Sequence, residues 1–221
     1  MPNFGPLFKS HLAASKNRKS KSKRSGTKKL KKDVAELKRI TRAERGILTE
    51  QISTGITSSW NNVKNLYTLA QGDLIDSREG DNIIATTVQF TGNFVKADDT
   101  NCLRLIVVQF ESAADSSIAN VLLNDISLVL QPYKAYNSPY RVDGDCKYRI
   151  LADKKYKLNQ DEVMKDIAFK VKIPKSKSTM KYTSSGSAIP QTNLISVLAV
   201  SDSLAVSDPV LNLSMRQRYH K

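Results

Sequence analysis

Fifteen lysines and arginines crowd the first 45 residues of this 221-residue chain: Lys9, Lys16, Arg18, Lys19, Lys21, Lys23, Arg24, Lys28, Lys29, Lys31, Lys32, Lys38, Arg39, Arg42 and Arg45. Only Asp33, Glu36 and Glu44 oppose them, which leaves this stretch at a net +12. Cations at that density do one kind of chemistry well. They attract phosphates, displace the counterions condensed around a polyanion, and need no ordered structure to do so. Phe4 and Phe8 are the only aromatics among them. Base stacking is therefore a minor contribution, and binding should be sequence-tolerant and strongly salt-dependent. The run KNRKSKSKR (16–24) also has the composition that nuclear import receptors read. Residues 46–221 carry 20 basic against 18 acidic side chains, a net +2. A charge block this segregated reads as an interaction tail on a near-neutral body.

Other residue types offer less chemistry. The two histidines, His11 and His220, stand in no triad or metal spacing, and no glycine-rich phosphate loop is present. No catalytic site, and so no enzyme, is expected. Asp98–Asp99 and Asp143–Asp145 could offer hard oxygen ligands to a structural Ca²⁺ between subunits, though solvated turns are the simpler reading; no cofactor is otherwise expected. Cys102 and Cys146 read as ordinary thiols, and Trp60 and Tyr67 as packing residues. No apolar run approaches the roughly 18 residues of a membrane span, and the N-terminus lacks the apolar segment of a secretory signal. The expected setting is the cytosol or nucleus.

The elements that position these residues follow from periodicity. Residues 1–27, rich in Lys, Arg and Ser with little to bury, should be a disordered basic arm. Over 28–45, Leu30, Val34, Leu37 and Thr41 recur at helical spacing with basic residues around them, predicting an amphipathic helix ended by Gly46. So narrow a stripe suits self-association or docking better than independent stability. From residue 46 onward the period is two. Asp81–Phe94 should turn Ile84, Thr86, Val88, Phe90 and Phe94 to one face, while Cys102–Phe110 is apolar on both. Further strands are expected near Glu50–Ser59, Lys147–Leu158, Asp166–Ile173, Met180–Tyr182, Asn193–Ser201 and Leu211–Arg218, about eight in all. Ser112–Tyr140 reads either as a helix over a sheet edge or as a loop. No βαβ alternation appears, so a sandwich or jelly-roll is favoured.

Six strings carry a resemblance: QGDLIDSREGDNI (71–83), NCLRLIVVQF (101–110), KYRILADKKYKL (147–158), FKVKIPKSKSTMKYTSS (169–185), NLISVLAVSDS (193–203) and LNLSMRQRY (211–219). In order and spacing they resemble the jelly-roll coat proteins of satellite tobacco necrosis virus and of small circular single-stranded DNA viruses. The likeness covers residues 46–221, while the arm agrees in composition only. It implies an all-β, eight-stranded antiparallel jelly-roll whose subunits form a 60-membered T=1 icosahedral shell, with the arms inside on a single-stranded genome. It favours DNA over RNA, places the protein in the virion, and implies host cytoplasm and nucleus during assembly. Sixty arms at +12 would carry about 720 charges, enough to offset part of a kilobase-scale genome. Arg78, Gly80 and Asp81 at the opening of one strand, and Asp153 and Lys154 in another, would then be structural. Gly80 would supply a tight turn or a positive φ, and Asp153 and Lys154, adjacent in a strand, would serve opposite faces. The rival readings are a cellular nucleic-acid-binding protein of ribosomal or chromatin type, a nuclease, and a ligand-binding sandwich. The near-neutral body, the missing carboxylate or histidine cluster and the unexplained arm count against them in turn.

Overall fold

The computed structural model describes residues 29–34, 45–58, 61–111, 136–137, 139–140, 147–203 and 208–221. The chain divides into two units, Met1–Glu44 and Arg45–Lys221. Of the first, residues 29–34 are described, as helix, with every side chain exposed. The predicted residues 112–135 and the rest of the arm and its helix lie outside the described residues.

The second unit is built from nine strands: β1 (Arg45–Gly55), β2 (Asn61–Asn65), β3 (Asn82–Val95), β4 (Asn101–Phe110), β5 (Tyr148–Leu158), β6 (Met164–Lys172), β7 (Thr179–Lys181), β8 (Ile195–Ser201) and β9 (Val210–His220). Their pairing is that of one long hairpin, rolled up. β4 pairs β5, β3 pairs β6, β2 pairs β8 and β1 pairs β9, all antiparallel. Rolling then brings β9 against β3 and β8 against β4. The result is two sheets with orders β1-β9-β3-β6 and β2-β8-β4-β5, the short β7 adding to β3. This is the jelly-roll topology, two four-stranded sheets made from eight long strands. The three-residue β7 is the short strand expected near Met180–Tyr182; the addition to the expected eight is β2.

The core lies between the sheets. Phe90, Phe94, Val88, Leu211, Leu213 and Met215 from one sheet meet Leu103, Leu105, Val107, Ile195, Val197 and Ala199 from the other. β4 is buried along both faces, as its sequence predicts. Its second face carries Ile106, Val108 and Phe110 into a smaller cluster with Leu198 and Val200, against which Tyr140 and Tyr148 pack. Phe90 and Phe169 stack across β3 and β6 with centroids 4.6 Å apart.

Two expectations about particular residues change. In β3 the inward residues are Ile83 and Ala85, then Val88, Phe90 and Phe94, while Ile84 is exposed and Thr86 half-buried. The β3/β9 register shifts between Ala85 and Thr87. One extra residue at a bulge reverses which parity points inward, so the even-numbered face assigned from the sequence holds only after Thr86. Arg45 does not end a helix but opens β1 opposite His220, and Gly46 lies buried in that strand opposite Tyr219. A Cβ on Gly46 would overlap the Tyr219 ring. The glycine is needed for that close approach and not as a helix stop.

Candidate nucleic-acid interface

Of the predicted phosphate-binding cations, Lys29, Lys31, Lys32 and Arg45 are described and all four are exposed. Leu30 and Val34 of the proposed assembly stripe are 64% and 42% exposed. Lys9, Lys16, Arg18, Lys19, Lys21, Lys23, Arg24, Lys28, Lys38, Arg39, Arg42, Leu37 and Thr41 lie outside the described residues.

Arg45 belongs to a larger arrangement that sequence reading missed. Strand alternation turns Met215, Gln217 and Tyr219 of β9 inward and Arg216 and Arg218 outward. In β6 it turns Val171 inward and Lys170 and Lys172 outward. Register aligns these across the sheet: Thr49, Arg216, Gln89 and Lys170 make one row, and Ile47, Arg218, Thr87 and Lys172 the next. Arg45 and His220 follow at the end. The next rows in the other direction are neutral (Gln51, Ser214, Thr91, Ala168), and the row after them ends on Asp166. Positive charge is thus gathered at the end of this face where the chain arrives from the arm. The signal was present in the alternating KVK and RQR triplets. Which strands stand side by side was not.

Behind the face, polar side chains hold the sheets together. Gln217 is fully buried; its amide donates to Glu50 (2.7 Å) and its carbonyl accepts the Tyr67 backbone N–H. Glu50 in turn pairs with Lys64 at 2.8 Å. Tyr67 sits at φ 57°, in the left-handed region, kept there as the Tyr182 hydroxyl donates to its carbonyl at 2.7 Å. Its own hydroxyl reaches the Thr87 and Arg218 carbonyls. Tyr67 is therefore a packing residue as expected, and burial pushes its phenol far above the ordinary range. Trp60 lies outside the described residues.

Arg78 is fully buried and clamps two loops. Its guanidinium donates to the carbonyls of Gly80, Ser184 (2.6 Å) and Ser187 (3.0 Å), pairs with Asp81 at 3.3 Å, and lies over the Tyr182 ring. Gly80 contributes that carbonyl; its φ is not in the left-handed region and a Cβ there would meet nothing. Of the tight turn or positive φ expected at Gly80, the positive φ is absent. Asp153 and Lys154 do serve different neighbours. Asp153 accepts two hydrogen bonds from Arg104 (2.7 and 3.1 Å) and one from the Tyr140 hydroxyl, while the Lys154 ammonium lies 6.0 Å from the Phe169 ring centroid. Burial alone would raise the Asp153 carboxyl, but the hydrogen bonds from Arg104 and Tyr140 hold it below its ordinary range. These groups anchor segments and present no nucleophile. Burial and the nearby Asp202 push the Cys102 thiol up, away from the thiolate form. Asp98 accepts from the Ser203 hydroxyl at 3.2 Å. Asp143, Asp145 and Cys146 lie outside the described residues. Among the described residues no three His, Cys, Asp or Glu side chains gather as a metal site would need, and no helix is long and apolar enough to cross a membrane.

No protein-family model matches the chain, and no curated protein matches it in sequence. Solved structures similar to it include one of Desmodium yellow mottle tymovirus, at TM-score 0.35 and 9% identity over 80% of this chain and 87% of that one. Another is of sacbrood virus of honeybee, at TM-score 0.34 and 10% identity over 79% and 70%. A third comes from the disulfide-linked pili of Bacillus endospore appendages, at TM-score 0.27 and 9% identity over 80% and 89%. Overlays at these scores carry no argument of their own; the fold rests on the strand order described above.

Proposed function

We propose that this chain is the coat protein of a small virus, whose jelly-roll bodies build a closed shell and whose basic arms hold the genome. The observation that carries the reading is the coincidence of two divisions. The net charge falls from +12 over residues 1–45 to +2 over the remainder, and the jelly-roll begins at Arg45. One part of the chain is made for a polyanion, the other for packing. Subunits of this kind bury strand-edge and loop surface against copies of themselves about symmetry axes. Leu74 and Ile75, 71% and 66% exposed on a loop, are the kind of surface such contacts would cover. The finer form of the proposal is a T=1 shell of 60 subunits around single-stranded DNA. In it, Leu30 and Val34 bring arm helices together, and the arm's basic run addresses the protein to the nucleus before assembly.

Removing residues 1–44 tests the division of labour, because β1 and its pairing with β9 remain whole. Particles formed by the shortened chain should be depleted of nucleic acid relative to the full chain. Particles that package nucleic acid at the full-length density would show that the arm does not hold the genome.

A further inference from the structure

The arm reading leaves one charged surface unused: the outer face of the β1-β9-β3-β6 sheet. There Lys170, Lys172, Arg216 and Arg218 are all exposed. Residues two apart on a strand are roughly 7 Å apart, and residues two strands apart roughly 10 Å. The two cations on each strand therefore sit within the Debye length of about 8 Å at physiological salt, and the pairs across the sheet lie a little beyond it. Among the described residues none of the four joins an ion pair; those found are Lys64–Glu50, Arg78–Asp81, Arg104–Asp153, Lys165–Glu162, Lys177–Glu111 and Lys221–Glu79. A group of like charges without counter-charges repels itself, and so costs the folded chain stability unless an anion neutralises it. The one acid on the outward rows, Asp166, lies at the opposite end.

The surface is also shaped. A cleft of about 320 Å³ opens between Arg45, Ile47, Thr87, Lys170, Arg218 and His220. His220 lines the cleft from the end of β9, beside Arg45 and Arg218. Gln89 and Thr87 stand between the cations in these rows, with Thr49 beside Arg216 at the edge, and all three can donate to phosphate oxygens. No Phe, Tyr or Trp stands in these rows, so the face offers charge and hydrogen bonds without a stacking platform. Arg45 joins it covalently to the arm.

We infer that this sheet face is a second phosphate-binding surface, which takes the backbone of the same single-stranded nucleic acid that the arm binds. The inference rests on the arm reading for its ligand, but on separate residues. The arm collects nucleic acid without fixed geometry, and the face gives it a fixed lie against the body, with contacts to phosphate rather than to bases.

The test compares three full-length chains titrated with fluorescent oligo(dT) over a range of salt. They are the unaltered chain, one with Lys170→Gln, Lys172→Gln, Arg216→Gln and Arg218→Gln, and one with the cations of residues 1–32 changed to glutamine. Each phosphate contact on a single strand adds about 0.7 to the slope of log affinity against log salt, so the sheet variant should lose roughly two to three units of slope. An unchanged slope in the sheet variant overturns the inference whatever the arm variant does; an unchanged slope in the arm variant counts against the arm reading alone. Amine acylation of the unaltered chain gives an answer that needs no variant to fold. Oligo(dT) should protect Lys170 and Lys172 more than the exposed Lys147 and Lys157. Equal labelling of all four with and without oligo(dT) overturns the inference, as does full protection of Lys170 and Lys172 in particles free of nucleic acid, where a second copy would be the occupant.

Discussion

Replacing Arg78 should reveal how much of this jelly-roll depends on a single buried cation. Its side chain is fully buried and its fork serves the carbonyls of Gly80, Ser184 and Ser187, residues more than 100 positions apart in sequence. Arg78→Met keeps the aliphatic stem and removes every donor. A buried carbonyl left without a donor costs about 1–3 kcal/mol. Gly80 and Ser184 are exposed, so their carbonyls can recover water and only part of that cost applies there. Loss of the guanidinium over Tyr182 adds about 1–2 kcal/mol. The ion pair with Asp81 adds little, because that carboxylate is 61% exposed. The expected loss is about 3–5 kcal/mol, in the range for breaking a buried charged network. Arg78→Lys keeps the charge but cannot span three carbonyls, so it should lose about half as much. Urea unfolding of dissociated subunits, followed by tyrosine and tryptophan fluorescence, reads this as a lower midpoint at constant slope. A loss below about 1 kcal/mol for Arg78→Met would refute the reasoning, and so would a lysine variant indistinguishable from the original.

Two other perturbations probe the sheets. At Gly92 a Cβ would run into the Asn212 backbone carbonyl, so Gly92→Ala should part β3 from β9 and lower stability by about 1–3 kcal/mol, measured by the same unfolding assay. Asp153 has a carboxyl lowered in the folded state, as its bonds from Arg104 and Tyr140 outweigh burial. Its contribution is therefore complete above the unfolded carboxylate pKa of about 3.9 and is lost as pH falls through the lower folded value. Thermal melts should show Asp153→Asn less stable than the original at neutral pH, with the gap closing below about pH 4; a gap that widens on acidification would contradict the sign.

Legibility followed whether a feature depended on one strand or on several. The alternation in DIAFKVKI and LNLSMRQR placed Ile167, Val171, Leu211, Leu213 and Met215 inward, and the apolar run of β4 marked a strand buried on both faces. β2 was missed because NNVKN has one apolar residue and is a strand by virtue of pairing with β8. The β3 bulge was missed because one residue near Thr86 resets the register against a neighbour some 130 positions away. Gly46 was misread for a similar reason: its partner is Tyr219, at the other end of the chain. The basic arm was legible because charge density needs no neighbours. The basic sheet face was not, since Lys170 and Lys172 meet Arg216 and Arg218 only through β3 standing between them.

Sedimentation of the purified full-length chain, recorded at both protein and nucleic-acid wavelengths, tests the central claim most directly. A shell-forming subunit should sediment as one large, closed species that carries nucleic acid and falls apart into subunits under dissociating conditions. A lone 24.6 kDa monomer at every salt concentration would contradict it.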